Sequence, residues 1–329
     1  MKRNAKIVVA LVVTLLVILG VVVGVSKRNS VEKIAVVATN FPAYDFVRAV
    51  AGDKAEVKML VKPGAETHDF EPSPGDIIDI QKSKLFVYTG GESDEWIEDV
   101  LNDIDAGKVK MLKMMDVVKV VEEEFVLGME GDEHDNEHEN HDEDNHEHHD
   151  EGKTEYDEHV WTSPRNASKI VESIKEELVK ISPENREEFE QNAKKYTEKL
   201  AELDRKFREI VEAGERKVVV FGDRFPLRYF VDDYGLEYYA AFPGCSEQTE
   251  ASSRTVAFLV DKVKTEKIPV VFAIEMGNGE LARTIANEAG AKVLTFNALH
   301  NVSLDDFKNG RTYVEMMEEN LDVLEEALR

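Results

Sequence analysis

A long uninterrupted helical pattern constrains the fold of this chain most strongly. From Ser182 to Ala213 no glycine occurs, and the only proline is Pro183 at the start. The apolar residues recur at the spacing of one helix face: Phe189, Ala193, Tyr196, Leu200, Leu203, Phe207 and Ile210. A helix of about thirty residues extends about 45 Å, longer than one small domain needs. We therefore predict a rigid helix that bridges two lobes.

Short β-branched runs alternate with amphipathic segments on both sides of this helix. The predicted strands before it are Ile34–Thr39, Ala55–Leu60 and Leu85–Tyr88, and those after it are Lys217–Phe221, Glu237–Ala241, Val270–Ile274 and Lys292–Phe296. Such alternation is typical of α/β lobes with parallel sheets. The predicted fold class is therefore α/β, with two such lobes joined by the long bridging helix. Ligands of such folds bind beyond the strand ends, so we expect the binding site in the interlobe cleft.

The same pattern divides the chain into four parts. Residues 1–30 are a signal peptide or membrane anchor, 31–181 the N-terminal lobe with a disordered loop at 130–152, 182–214 the bridging helix, and 215–329 the C-terminal lobe.

The beginning of the sequence predicts export. A basic stretch, Met1–Lys6, precedes the apolar run Ile7–Val25. Nineteen residues of helix span about 28 Å, close to the hydrocarbon core of a bilayer. This pattern fits either a signal peptide or an uncleaved anchor. Both alternatives leave the rest of the chain outside the cytoplasm, in the periplasm or at the cell surface.

Charge and cysteine content exclude several classes of function. The formal net charge is −26, which argues against a nucleic-acid partner because phosphates would be repelled. Twelve of the acidic residues lie in Glu130–Glu151, which contains no Lys or Arg. Cys245 is the only cysteine, so neither an intramolecular disulfide nor a cysteine-based zinc site is possible.

The acidic insert also contains six histidines and has no apolar residue from Gly131 to Glu151. Such a segment buries too little apolar surface to offset the entropy of ordering, so we expect disorder. The alternative is an acidic loop that only solvates, but that role needs no histidine. We expect weak, multivalent metal binding by His134, His138, His141, His146, His148 and His149.

Three histidines lie outside the insert, each in a loop at a predicted strand end or helix start. They are His68, His159 and His300. Each alone has the alternative of a surface or packing role. Imidazole suits zinc, and two histidines from one lobe with a histidine or carboxylate from the other would form a tetrahedral site across the cleft.

Several motifs resemble the solute-binding proteins of zinc and manganese ABC importers. The matching stretches are Asn40–Asp45, Val61–Gly64, His68–Asp76, Tyr88–Gly91 with Trp96, His159–Pro164, Arg228–Phe230 with Tyr234–Leu236, and Tyr313–Met317 with Asn320–Leu321. The resemblance covers roughly residues 33–329. The histidine-rich insert before the second histidine motif is similar to the zinc branch of this family.

The resemblance implies one metal between two lobes joined by a long helix. His68 and His159 match the two ligands of the first lobe. In the second lobe Arg224 stands nearest to a position where the family has His or Glu, and a guanidinium cannot ligate a cation. Asp223 beside it is the plausible substitute, and His300 occupies the region of the last ligand.

The predicted metal site is therefore His68, His159, Asp223 and His300. Glu275, at the end of Val270–Ile274, is predicted to orient a histidine through its other ring nitrogen.

The sequence thus predicts a high-affinity zinc-binding protein outside the cytoplasm. It would capture Zn²⁺ and deliver it to an ABC importer permease that works with a cytoplasmic ATPase, and it would not be an enzyme. The alternatives are a manganese or iron cargo, with Mn²⁺ as the bound ion, and a metal buffer or adhesin acting through the insert. A zinc hydrolase is disfavoured because the spacing His-Glu-x-x-His does not occur outside the insert.

Overall fold

The structure is a computed structural model that describes residues 33–67, 70–97, 108–129, 155–244, 246 and 250–329. The predicted N-terminal membrane segment, His68 and the whole histidine-rich insert lie outside these residues. Within the described part of the chain, we find no helix with the length and apolar character needed to cross a membrane.

The first lobe is a four-stranded sheet with helices packed on it. Its order is β2-β1-β3-β4, and the pairs β1/β3 and β3/β4 are parallel. The elements are β1 Ile34–Ala38, α1 Phe41–Ala51, β2 Ala55–Met59, α2 Pro74–Lys82, β3 Leu85–Tyr88, β4 Lys110–Lys113 and α3 Pro164–Ile181. Ser73 caps the start of α2, because its hydroxyl accepts a hydrogen bond from the Asp76 N–H. Strand β4 was not predicted, because two of its four residues are lysines.

The second lobe repeats this design with a parallel sheet of order β6-β5-β7-β8. Its elements are β5 Val218–Phe225, α5 Arg228–Tyr234, β6 Glu237–Pro243, α6 Ser253–Thr265, β7 Val270–Ile274, α7 Glu280–Ala289, β8 Lys292–Phe296, α8 Leu304–Lys308 and α9 Tyr313–Leu328. The predicted fold class, two α/β lobes with parallel sheets, is confirmed.

Strand β5 runs four residues beyond its predicted end at Phe221 and so includes Asp223 and Arg224. Gly222 lets α7 pack closely against this strand, because a Cβ atom there would lie 2.4 Å from the Cα of Ala282 in α7. The pairing with β6 also shifts register between Phe221 and Arg224. The predicted strand ends before Asp223 and Arg224, whereas the structure places both residues on the last part of the strand.

The long helix α4 spans Arg186–Ala213, after one 3₁₀ turn at Pro183–Asn185. It packs against α1 and α3 of the first lobe and against α5 and α9. Its buried residues are Phe189, Ala193, Tyr196, Leu200, Leu203, Phe207 and Val211, so the apolar face passes through Val211 while Ile210 is half-buried. A stripe on one helix face therefore supports elements of both lobes.

One buried carboxylate joins three of these helices. Asp45 in α1 accepts hydrogen bonds from the Tyr196 hydroxyl of α4 at 2.7 Å and from the Tyr313 backbone N–H of α9 at 2.9 Å. Its other oxygen lies 2.5 Å from an Arg48 guanidinium nitrogen. Buried donors that lose their acceptor cost more than the bond itself contributes. Asp45 therefore fixes the long helix and the last helix onto the first lobe.

We predict that Asp45→Ala lowers the free energy of unfolding by about 3 kcal/mol, because two buried donors are left without an acceptor. Tyr196→Phe should cost about 1 kcal/mol, since it removes one bond and leaves no donor unsatisfied. Urea unfolding measures both. The control is Asp79→Ala, whose half-exposed carboxylate pairs with Lys58 and should change stability by less than about 0.5 kcal/mol. Equal costs for Asp45 and Asp79 would contradict the assignment.

Candidate metal centre

His159 is completely buried immediately before the 3₁₀ turn Val160–Thr162. The Oδ1 atom of Asp157 accepts hydrogen bonds from the His159 backbone N–H at 2.8 Å and lies 3.1 Å from Nδ1 of its ring. With Nδ1 facing a carboxylate, Nε2 is the nitrogen that can hold a metal. Asp157 thus fixes both the position and the orientation of the imidazole.

His300 lies in the loop after β8 and is 8% exposed. Leu299 before it has a left-handed backbone (φ 62°), which turns the chain sharply. Glu275 follows β7, and its two oxygens accept hydrogen bonds from the backbone N–H groups of Ala298 at 2.6 Å and His300 at 3.0 Å. Its Oε1 atom lies 3.6 Å from Nδ1 of His300. The carboxylate of one strand therefore shapes the loop that follows the neighbouring strand.

These two histidines come from different lobes and meet in the cleft. Their ring centroids are 4.6 Å apart, with an angle of 74° between the ring planes. Trp161 packs edge-on against both rings, and its indole N–H donates to the Ala298 carbonyl at 2.8 Å. Two adjacent buried imidazoles, each with a carboxylate near Nδ1, form a donor set suited to a borderline metal ion such as zinc.

A cavity of about 150 Å³ adjoins His300. The first lobe contributes residues 64–67 to its wall, and the second lobe contributes Arg224, residues 274–276 and Asn301. Thr67 lines this cavity. The predicted ligand His68 is the next residue in the chain, but it lies outside the described residues. Across the cavity, the Arg224 guanidinium lies 2.9 Å from the Glu66 carboxylate of the other lobe.

Asp223 is directed mainly at backbone. Its Oδ1 atom accepts from the Arg224 N–H at 2.9 Å, and its Oδ2 atom from the Ile274 N–H at 3.3 Å. Burial raises the pKa of its carboxyl above the ordinary value. The structure therefore brings together His159, His300 and Glu275, and holds Asp223 against β7.

Across the described ranges, no three histidine, cysteine or acidic side chains form a group arranged to hold a metal ion. The roles of His68 and Asp223 as ligands stay predictions.

Sequence reasoning missed three residues that shape this region: Asp157, Glu66 and Asn301. Asp157 had a usable signal, because a carboxylate two residues before a candidate ligand is well placed to bind its ring. Glu66 and Asn301 gave none, since their partners lie more than 150 residues away in the chain.

Burial sets the protonation of the groups around His159. It lowers the pKa of the His159 imidazole well below the ordinary 6.5, and the nearby His300 lowers it further. Burial also raises the pKa of the Asp157 carboxyl to about 7, although the His159 backbone N–H opposes this. His159 is therefore neutral at neutral pH, which is the form that a metal ion requires.

Glu158, the residue before His159, is also buried. Burial raises the pKa of its carboxyl to about 8, against hydrogen bonds from the Ser93 hydroxyl and from the Ser93 N–H at 3.0 Å. Between the ordinary pKa of 4.5 and about 8, the folded protein holds a proton that the unfolded chain has released. The stability that comes from this proton is present at low pH and is lost as the pH rises through 8.

We predict that Glu158→Gln, which stays neutral, removes part of the pH dependence of stability. Relative to the variant, the wild type should lose roughly 1 kcal/mol of unfolding free energy per pH unit between pH 5 and 8. Urea unfolding at several pH values measures the difference in unfolding free energy. The contribution of Asp157 to the pH dependence cancels, because both proteins retain this residue. The control is Glu56→Gln at an exposed position, whose unfolding free energy should change with pH as that of the wild type does. Parallel curves for Glu158→Gln would contradict a protonated Glu158.

Gly244 packs closely against the ring of His159. A Cβ atom at this position would lie 3.1 Å from Cε1 and 3.2 Å from Nδ1 of the His159 ring. We predict that Gly244→Ala displaces the ring and raises the Kd for Zn²⁺ about tenfold, measured by titration calorimetry. Gly75→Ala is the matched control, because its Cβ would make only an ordinary contact with the Ser73 hydroxyl at 3.5 Å. Unchanged affinity in Gly244→Ala would show that His159 does not hold the metal.

Comparison with known proteins identifies the family of this chain. Residues 36–327 match the family described as ZnuA, the periplasmic component A of a zinc-uptake complex. The zinc-binding lipoprotein AdcA of Streptococcus pneumoniae is 34% identical over 295 residues, covering 90% of this chain and 56% of that protein. The chain thus spans little more than half of that relative.

A relative of similar length is the high-affinity zinc uptake system protein ZnuA of Bacillus subtilis. It is 32% identical over 297 residues, which cover 90% of this chain and 88% of that protein. The crystal structure of the Zn(II)-bound ZnuA-like domain of Streptococcus pneumoniae AdcA has a TM-score of 0.71 and 32% identity, covering 90% of this chain and 99% of that domain. This confirms the resemblance seen in the sequence: the chain belongs to the ZnuA family of zinc-uptake components.

Proposed function

We propose that this chain captures Zn²⁺ outside the cytoplasm and delivers it to the permease of an ABC importer. The observation that carries the proposal is the pair of buried imidazoles, one from each lobe, whose centroids lie 4.6 Å apart. A metal held by both rings joins the lobes, so binding and release are linked to the state of the cleft. This is the behaviour expected of a carrier that hands over its cargo unchanged.

In this proposal His159 and His300 ligate Zn²⁺ through Nε2, with Nδ1 of each ring facing a carboxylate. His68, one residue beyond the cavity wall at Thr67, supplies the third imidazole. Asp223 supplies an oxygen, because a carboxylate that accepts one backbone N–H per oxygen retains further lone pairs. The set of three nitrogens and one oxygen fits tetrahedral zinc.

Manganese or iron is the second candidate cargo. Asp223 in place of a histidine favours it, because carboxylate oxygen suits harder cations than imidazole does. A ligand set of three imidazoles and one carboxylate nevertheless favours zinc. Zn²⁺ is also the ion bound to the AdcA domain that this fold resembles. The metal is cargo in either case, and the family assignment supports transport rather than catalysis.

Delivery requires a partner in the membrane. We infer a permease that receives the metal as the lobes separate and a cytoplasmic ATPase that drives import. The apolar run Ile7–Val25 would either direct export or hold the chain at the membrane surface. The six histidines of the insert would raise the local concentration of zinc near the cleft.

The first test is titration of the full-length chain with Zn²⁺ and Mn²⁺. We predict one tight zinc site, weaker manganese binding, and at least a hundredfold rise in zinc Kd for His159→Ala and for His300→Ala. His148→Ala in the insert is the matched control and should leave that site unchanged. Circular dichroism verifies folding of each variant.

Deletion of residues 130–151 distinguishes a zinc carrier from a metal buffer or adhesin that acts through the insert. A carrier keeps its tight site after the deletion. The proposed function would be overturned if tight zinc binding disappeared when the insert is deleted but persisted in His159→Ala and His300→Ala.

A further inference from the structure

The loop before His68 is fastened to the loop that carries His300. Residues 62–67 belong to the first lobe and residues 300–302 to the second, and we call their contact the clasp. Five side-chain or backbone contacts connect the lobes at or beside it. The clasp lies at the wall of the cavity beside His300.

Asn301 is the centre of the clasp. Its side-chain nitrogen donates one hydrogen bond to the Lys62 carbonyl and one to the Ala65 carbonyl, both at 2.7 Å. Its side-chain oxygen accepts from the Val302 N–H at 2.8 Å. The residue is 2% exposed. Both amide hydrogens therefore bind the opposite lobe, while the amide oxygen fixes the side chain on its own loop.

Three neighbouring contacts reinforce this one. The Gly64 N–H donates to the Val302 carbonyl at 2.9 Å, and the Thr67 hydroxyl lies 3.4 Å from the His300 carbonyl. Gly64 has φ 84°, a backbone conformation that glycine adopts without strain. Beside the loop, Glu66 and Arg224 form the ion pair across the cavity.

We propose that Asn301 is a positioning residue that ties the loop leading to His68 onto the loop of His300 before any metal arrives. The inference rests on the proposed function, since it assigns Asn301 a part in zinc affinity. Both amide hydrogens of Asn301 are used by the Lys62 and Ala65 carbonyls. Asn301 acts by fixing the distance between two ligand-bearing loops.

The physical benefit is preorganisation. A site whose loops are already in place loses less conformational freedom when the ion binds, so more of the ligand–metal interaction appears as affinity. Asparagine suits the task because one side-chain nitrogen carries two donors and can reach two carbonyls at once. An aspartate of the same size would instead present an oxygen to those carbonyls. Delivery of the metal then requires that the clasp be broken, a step that the permease would favour by binding the separated lobes.

The clasp can be tested without metal. Hydrogen exchange of the Gly64 amide, followed by NMR on the zinc-free full-length chain, reports directly on a bond between the lobes. We expect slow exchange in the wild type and at least tenfold faster exchange in Asn301→Ala. Asn309→Ala is the matched control, because Asn309 is an exposed residue at the end of α8.

Zinc titration then separates positioning from simple support of the fold. Asn301→Ala should raise the zinc Kd about tenfold, and Asn301→Asp should weaken binding at least as much, whereas Asn309→Ala should bind as the wild type does. A residue that only supports the fold would lower the thermal midpoint but leave the Kd unchanged in the folded protein.

Two results would overturn the proposal. One is a Gly64 amide that exchanges freely in the zinc-free wild type and becomes protected only with zinc, because the clasp would then be a product of metal binding. The other is wild-type zinc affinity in Asn301→Ala. A wild-type chain without a tight zinc site would instead refute the proposed function, while the exchange experiment would still decide whether the clasp forms.

Discussion

A carboxylate of its own lobe lies beside Nδ1 of each of the two buried imidazoles, and the chemistry of the cleft depends on this arrangement. Asp157 binds the backbone N–H of His159 and faces Nδ1 of the ring, while Glu275 binds the backbone around His300 and lies near its Nδ1. Asp157 thus fixes the ring of His159 by a hydrogen bond to Nδ1, whereas Glu275 fixes the backbone that carries His300.

The lobes must also be held at one separation for these rings to meet. Helix α4 runs along both lobes, and Asp45 binds it and α9 to the first lobe. Tyr229 of the second lobe donates to the Asp157 carbonyl at 2.6 Å, so the segment that orients His159 rests on the opposite lobe. The position of His159 thus depends on both lobes, which explains why a rigid connecting helix is useful when two adjacent rings come from different lobes.

Arg224 marks where this chain departs from the pattern that its family resemblance implies. A guanidinium at the edge of the cavity cannot bind a cation, and it repels one unless its charge is compensated. Glu66 provides that compensation from the other lobe. Together with Asn301, the pair connects the two lobes beside the cavity.

The sequence by itself determined the two α/β lobes, the long helix and the candidate ligands His159 and His300, because periodicity and loop position are local properties of the chain. It did not reveal the short strand β4, the extension of β5 through Asp223, or the orienting role of Asp157. A glycine is needed at position 222 because α7 packs closely against it. The two carbonyls that accept hydrogen bonds from Asn301 lie 236 and 239 residues away in the chain. Only the tertiary structure decided these features, since they arise from contacts between segments that no local pattern connects.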